Sequence, residues 1–261
     1  MKTAKTLNIA IVGTGNLATH LAKALAQTEH RLLQVLSREK ARAAQLAKPL
    51  SAEGIDRISA LSPELDMVIL ALTDSALKSK YIAQFPKDLI ICHTSGSVSM
   101  RVLKSHKNHG IFYPLQTFSK QKALDFSRIP ICLEASDNTV LTKLKLVAES
   151  LSSTIYEINS KQRKALHLAA VFACNFTNLM YDISHDLLSD AHLEFEILRP
   201  LILGTAQKVQ NHYPFEVQTG PAVRNDHKVI GAHKKRLDNN PDLQEIYMML
   251  THEINKDNEE L

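Results

Sequence analysis

The most specific chemical signal in the chain is a turn of type G-x-G-x-x-A, Gly13-Thr14-Gly15-Asn16-Leu17-Ala18. In a strand–turn–helix setting each small residue has a task. Gly13 lets the chain turn sharply out of the strand. Gly15 has no Cβ to keep a pyrophosphate off the backbone, and Ala18 lets the helix pack closely. The unpaired N–H groups of the first helical turn, with the helix dipole behind them, then hold the anion. These six residues are the expected seat of a dinucleotide, a purely structural glycine turn being the alternative.

A second determinant of such a site lies about 20 residues further on, where an acid would bond the ribose 2′-hydroxyl of NAD. Here that place holds Ser37-Arg38-Glu39-Lys40. The Ser37 hydroxyl and the Arg38 guanidinium suit a 2′-phosphate, and Lys40 or Arg42 would add charge. NADP is therefore expected over NAD, although a one-residue shift would bring the Glu39 carboxylate to the ribose. A solvated helix start is the plainer alternative. S-adenosylmethionine also sits on such turns, but it too commonly calls for an acid after the second strand.

Ligands in open α/β sheets bind beyond the carboxyl ends of the strands. Polar residues at those ends are the next candidates. Thr73 and Asp74 are expected to meet the cofactor, or else to cap a helix. Ser95-Gly96-Ser97 offers hydroxyls and free N–H groups where a nicotinamide or a substrate oxygen would lie. Ser95 is the catalytic candidate, and Ser97 and Tyr113 are candidates for substrate binding. A plain capped turn is the alternative for the serines.

Further along, His167 and Asn175 interrupt an apolar helical stretch. They are eight residues apart, about 80° around the axis and two turns along it. Buried, they would need partners, and a satisfied core pair is the alternative. In a functional role, His167 would supply or take the proton that accompanies hydride transfer, since imidazole ordinarily titrates near neutrality. Asn175 would orient the substrate or polarise a carbonyl. The loop Thr219–Asp226 adds Arg224, suited to a substrate carboxylate, and Asp226, which binds substrate or caps the next helix. His233 shares that helical face with Asp226. The twelve histidines include no H-x-x-x-H or HExxH spacing, so no metal is expected.

These residues need a scaffold that gathers strand ends. Apolar runs at Leu7–Val12, Arg31–Leu36, Asp66–Leu72 and Leu89–His93 read as buried strands, with shorter ones at Gly110–Phe112, Ile129–Glu134 and Thr154–Ile158. Helical patterns at Asn16–Gln27, Glu39–Ala47, Ser75–Phe85 (Ser75 as its cap) and Asp137–Leu151 alternate with them. Such alternation implies crossover connections and a mainly parallel sheet covered on both faces. After the capping pair Asn159-Ser160 the pattern turns entirely helical. Helices are expected from Lys161 to about Leu188, over Phe195–Asn211 (broken early by Pro200), over Asp226–Leu237, and from Pro241 to about Asn255, with a frayed tail at Lys256–Leu261.

At 261 residues the chain suits one large domain or two modest ones. A net charge of +4, dispersed along the chain, is too weak to indicate nucleic acid or a membrane surface. Aromatic residues are only 5% and Trp is absent, which disfavours base-stacking platforms. Cys92, Cys132 and Cys174 include no CxxC pair and are expected as reduced, buried thiols. The short basic lead Met1–Thr6 runs into a strand pattern and not a signal-peptide core, and no apolar run is long enough to span a bilayer. A cytoplasmic location is the default.

Five stretches carry a family resemblance: Gly13–Ala18 (GTGNLA), His93–Ser97 (HTSGS), Gly110–Ser119 (GIFYPLQTFS), Leu166–Asn175 (LHLAAVFACN) and Thr219–Asp226 (TGPAVRND). With them the chain resembles the bacterial Rossmann-like proteins with a C-terminal DUF2520 domain, usually described as predicted oxidoreductases. More distantly it is similar to pyrroline-5-carboxylate reductases, F420-dependent NADP reductases, prephenate dehydrogenases and β-hydroxyacid dehydrogenases. The resemblance implies a Rossmann domain followed by a helical domain that makes a homodimer, and NADP-dependent hydride transfer. Two positions depart from the distant relatives. Val171 stands four residues before Asn175, where β-hydroxyacid dehydrogenases carry a catalytic Lys. Tyr113-Pro114 stands where prephenate dehydrogenases have His-Pro.

The expectation is an α/β chain: a Rossmann-type, doubly wound, mainly parallel sheet over residues 1–158, then an all-α substrate and dimerisation domain over 159–261. Its function would be NADP-dependent hydride transfer to or from a small acidic carbonyl, hydroxy or imine metabolite in a cleft between the two domains. The alternatives are a catalytically silent NADP-binding sensor or scaffold, and a methyltransferase. The partners are a small-molecule substrate and a second copy of the chain, with neither nucleic acid nor membrane.

Overall fold

The computed structural model describes residues 6–119 and 124–259. Met1–Lys5 of the basic lead and Glu260-Leu261 of the tail lie outside the described residues. Strands β1 (Asn8–Val12), β2 (Arg31–Leu36), β3 (Glu53–Ile55), β4 (Met67–Leu70), β5 (Ile90–His93), β6 (His109–Pro114), β7 (Ile131–Ala135) and β8 (Ile155–Glu157) form one sheet in the order β3-β2-β1-β4-β5-β6-β7-β8. All pairs are parallel except β6 with β7. Every residue of β4 and β5 is buried, as parallel strands covered on both faces must be. The order reverses at β1, which pairs with both β2 and β4. A crevice opens at the carboxyl ends of strands where the order reverses in this way.

Helices α1 (Asn16–Leu25), α2 (Lys40–Ala47), the single turn α3 (Asp74–Leu77) and α4 (Asn138–Leu151) provide crossovers. Asp137 caps α4, its carboxylate accepting from the N–H groups of Thr139 and Val140. Beyond the sheet, α5 (Ser160–Ala170) starts with a reciprocal cap between Asn159 and Gln162. A wide π turn at Val171–Phe176 leads into α6 (Thr177–Asp190), and α7 (Arg199–Asn211), α8 (His227–Arg236) and α9 (Pro241–Glu259) follow. The chain divides into two compact units between Asn178 and Leu179, so the change of class at Ile158 falls within the first unit. Among the described residues no helix is long and apolar enough to cross a membrane.

Several expectations need correction. Ser75–Phe85 is not one helix: α3 stops after one turn and a 3-10 segment Lys80–Gln84 follows. Ser79 closes that turn, because both its N–H and its hydroxyl bond the Ala76 carbonyl. Thr73, and not Ser75, stands at the cap position. The short edge strand β3 was not expected; Gly54 within it sits against the α2 backbone, where a Cβ would meet the Ala44 nitrogen at 2.3 Å. Pro200 does not break a helix but lies in the first turn of α7, where its missing N–H is not needed. The last helix runs through Asn255 to Glu259. Cys92 and Cys132 are buried in strands, whereas Cys174 is exposed because its stretch of the π turn faces outward with Phe172 and Phe176.

Candidate functional site

The glycine turn leaves β1 at the crevice. Gly13 has φ +121°, and a Cβ there would stand 2.3 Å from the Ala71 carbonyl oxygen, so only glycine fits. Its N–H donates to Leu36 O at 2.8 Å, tying the turn to the end of β2. Gly15 occupies the N-cap of α1 without a side-chain cap, and no acidic residue lies in the first turn. A Cβ on Gly15 would meet nothing within 4 Å. An uncapped helix start beneath open space suits a dinucleotide pyrophosphate, held by the N–H groups of Asn16, Leu17 and Ala18. Ala18 is fully buried, which lets α1 pack on the sheet, and Thr14 is half-buried beside the turn. The Asn16 side chain is committed elsewhere, donating to the Phe118 carbonyl at 2.9 Å. His20 likewise donates to the Ser119 carbonyl at 2.8 Å. These two bonds tie α1 to residues 118–119.

At the end of β2, Arg38 is exposed and has no partner among the described residues. Glu39 is held in an ion pair with Arg42 at 2.9 Å, and the Ser37 hydroxyl accepts the Glu39 N–H at 3.4 Å.

The ends of β4 and β5 meet through Asp74. Its carboxylate accepts from the Ser95 hydroxyl at 2.8 Å and, by a very short bond, from the Ser97 hydroxyl. Burial works against the charge of Asp74, but the Ser97 and Ser95 hydroxyls, with Lys78 and His167 nearby, outweigh it and hold the carboxyl below its usual range. The Ser95 oxygen also accepts the N–H groups of Ser97 and Val98. The hydroxyls and N–H groups of Ser95 and Ser97 are therefore not free, as the sequence suggested, but spent within the turn. Thr73 pairs with Ser75 at 3.2 Å and caps nothing through its side chain. Behind the turn, His93 is wholly buried and its Nδ1 accepts the Ser95 N–H at 3.2 Å. Burial first, and the Arg163 charge second, push its pKa down to about 4, so the ring is neutral at pH 7.

Tyr113, at the end of β6, and His167, on α5, come together. The Tyr113 hydroxyl lies 3.2 Å from Nδ1 of His167. Both line a cavity of about 410 Å³ within the first unit, together with Gln116, Thr117, Cys174 and Asn175. Asn175, eight positions after His167, lies within the π turn, a feature frequent at functional sites, and both residues line this one cavity. His167 is half-buried and Asn175 exposed, so neither belongs to a closed core.

Arg163 escaped the sequence reading. Its side chain has no exposed surface. Nη1 donates to the carbonyls of Ser95 at 2.8 Å and Gly96 at 3.0 Å. Nη2 donates to Glu134 at 3.4 Å and to the Ser160 hydroxyl at 3.3 Å. In the run Lys161-Gln162-Arg163-Lys164 it looks like one more solvated charge, and no local signal marks it.

Arg224 and Asp226 belong to the second unit. Asp226 caps α8 by accepting the Val229 N–H at 3.1 Å. Arg224 is exposed and has no partner among the described residues. His233 does not join them but meets the Tyr247 hydroxyl at 2.9 Å.

A family model described as a domain of unknown function, DUF2520, matches residues 129–254. Another, described as shikimate/quinate 5-dehydrogenase, matches residues 1–83. Among solved structures, a candidate NADP oxidoreductase from Bacteroides fragilis is 41% identical, with a TM-score of 0.88 over 97% of this chain and 100% of its own. A Thermotoga maritima protein is 23% identical, with a TM-score of 0.75 over 97% of this chain and 98% of its own. A 1-pyrroline-5-carboxylate reductase from Streptococcus pyogenes shares the fold at 14% identity, with a TM-score of 0.64 over 96% of this chain and 99% of its own. No curated protein matches the sequence.

Proposed function

This chain belongs to the family of Rossmann-like proteins with a DUF2520 domain, and from that premise we propose that it is an NADP-dependent oxidoreductase acting on a small carbonyl, hydroxy or imine metabolite. The observation that carries the reading is the uncapped start of α1 at Gly15, open above and free of acidic side chains, where the strand order reverses. The description of the 41%-identical Bacteroides protein supports the same chemistry. NADP is favoured over NAD because Glu39 is tied up by Arg42, while the Arg38 guanidinium beside Ser37 is free for a 2′-phosphate.

A cofactor held at the turn by its pyrophosphate would supply or accept the hydride through its nicotinamide ring. The chain's own residues bind, orient and manage the proton. Gly13–Ala18 would hold the pyrophosphate, and Thr73 and Asp74 would border the nicotinamide end. Ser95 acts through the Asp74 network, and Ser97 and Tyr113 border the substrate. His167 is the acid–base group and Asn175 polarises the reacting carbonyl or imine. In the second unit, the exposed Arg224 guanidinium suits a carboxylate, and Asp226 caps the helix that follows its loop. The helical part of the chain, residues 159–261, is assigned to substrate binding and dimerisation, although its first helices belong to the first compact unit. A homodimer is supported by the exposure of large apolar side chains such as Leu168, Phe172, Ile197 and Leu201.

Titration with NADPH and NADH, followed by nicotinamide fluorescence, tests this reading. Arg38→Ala is expected to weaken NADPH about tenfold or more, from the loss of a charged hydrogen bond, and to leave NADH nearly unchanged. Binding of neither nucleotide would overturn the proposal. Tight NADPH binding without turnover on carbonyl and imine panels would make the protein a silent NADP-binding sensor.

A further inference from the structure

The ring of His167 is held from two sides. On one, its Nδ1 meets the Tyr113 hydroxyl at 3.2 Å, and the two rings stand edge-on with centroids 6.2 Å apart. On the other lies Gly96. A Cβ there would stand 2.6 Å from Nδ1 and 2.7 Å from Cγ of His167, and 2.9 Å from Cζ of Tyr113. No other residue type leaves room for both rings. Gly96 is itself held by Arg163, which donates to its carbonyl at 3.0 Å. Arg163 precedes His167 by four residues on α5, so one face of the helix both grips the turn and lays the ring on it.

This arrangement bears on which ring nitrogen carries the proton. Tyr113 is only 8% exposed, and a buried hydroxyl needs an acceptor for its hydrogen. Nδ1 of His167 is the only group bonded to it among the described residues. Burial raises the Tyr113 pKa, which keeps the phenol a donor. A neutral imidazole that accepts at Nδ1 carries its proton on Nε2. Nε2 has no hydrogen bond among the described residues and is not among the buried unpaired atoms. The ring to which it belongs lines the 410 Å³ cavity.

We infer that Tyr113 and Gly96 are positioning residues that hold neutral His167 as its Nε2–H tautomer, so that a substrate carbonyl oxygen or imine nitrogen in the cavity meets an N–H donor. Such a donor stabilises negative charge developing on that atom as the neighbouring carbon is reduced, and once a second proton sits on Nδ1, with the Tyr113 hydroxyl turned to accept it, the same Nε2–H is the acid that passes its proton to that atom. The purpose of the device rests on the oxidoreductase reading, whereas its geometry does not.

The test is nitrogen-15 NMR of the full-length, histidine-labelled protein without nucleotide, at alkaline pH where the ring is neutral. His167→Gln identifies the His167 signals by their loss. The wild-type ring is expected almost wholly as Nε2–H. Tyr113→Phe keeps the aromatic ring and the packing, and should shift His167 toward the tautomer mixture of free histidine. Gly96→Ala should do the same with Tyr113 still present, by displacing the ring. A mixed or Nδ1–H wild-type ring, or a Tyr113→Phe spectrum with unchanged tautomer, would overturn the inference. If the Gly96→Ala protein is too unstable to record, the wild-type and Tyr113→Phe spectra still decide. An Nε2–H ring in a protein that binds no NADPH would leave the geometry standing and remove only the oxidoreductase reading.

Discussion

Arg163→Met removes a charge with no exposed surface and keeps much of the side-chain volume. Four hydrogen bonds go with it: two to the carbonyls of Ser95 and Gly96, one to Glu134 and one to the Ser160 hydroxyl. The carbonyl bonds, at 2.8 and 3.0 Å, are the tight ones. Leaving a buried acceptor unpaired costs about 1–3 kcal/mol, which applies in full to the Gly96 carbonyl and in part to the partly buried Ser95 carbonyl. Taking one partner from a buried ion pair costs about 3–5 kcal/mol. The two routes overlap at roughly 3–5 kcal/mol, a large share of a domain's usual total of about 5–15 kcal/mol. Arg42 provides the control. Its contact with Glu39 is shorter, 2.9 Å against 3.4 Å for Arg163 with Glu134, yet both partners are more than 60% exposed. Exposed pairs contribute about 0–1 kcal/mol. Distance alone would rank the two arginines in the wrong order, whereas burial ranks them correctly. Urea denaturation of Arg163→Met, Arg42→Met and Arg163→Met/Glu134→Gln measures the difference. The double variant should recover part of the loss, because it no longer holds an uncompensated carboxylate. A loss of less than about 1 kcal/mol for Arg163→Met, or one equal to that of Arg42→Met, would refute the reasoning.

Two further outcomes follow from burial. His93 titrates near 4 when folded, against an ordinary value of 6.5, so the unfolded chain binds its proton first as the pH falls. Its contribution is fully present above pH 6.5 and fades from there down to about 4, a loss of about 3 kcal/mol. Stability measured at pH 7.5 and 4.5 should therefore fall further in the wild type than in His93→Gln. His106, lowered chiefly by burial and retained in both proteins, cancels in the comparison, and equal slopes would disprove the burial account. Of the three cysteines, only Cys174 is exposed, and burial lifts the thiols of Cys92 and Cys132. A thiol-specific chromogenic reagent should titrate one thiol in the native protein and three after denaturation, and rapid reaction of a second native thiol would contradict the buried assignment.

Much of this protein was determined by its sequence alone, wherever the physics is local. The glycine turn, the Asp137 cap and the reciprocal cap of Asn159 with Gln162 each rest on residues a few positions apart. Alternating apolar runs likewise required a parallel sheet, because strands of one direction need crossovers. Local pattern failed where a short hydrogen bond competed with it, as Ser79 does at the end of α3. The gathering of the site was decided only by the tertiary structure. Asp74 meets Ser95 and Ser97 across 21 and 23 residues, and Tyr113 meets His167 across 54. Arg163 reads as a solvated charge among lysines, yet it lies wholly buried, 68 residues from the Ser95 carbonyl it holds. Cys174 sits in as apolar a run as the buried cysteines and is nonetheless exposed. The physical reason is common to these cases. Helical period and capping are properties of neighbours along the chain, whereas burial, hydrogen-bond partner and proton position depend on what the fold sets opposite each side chain.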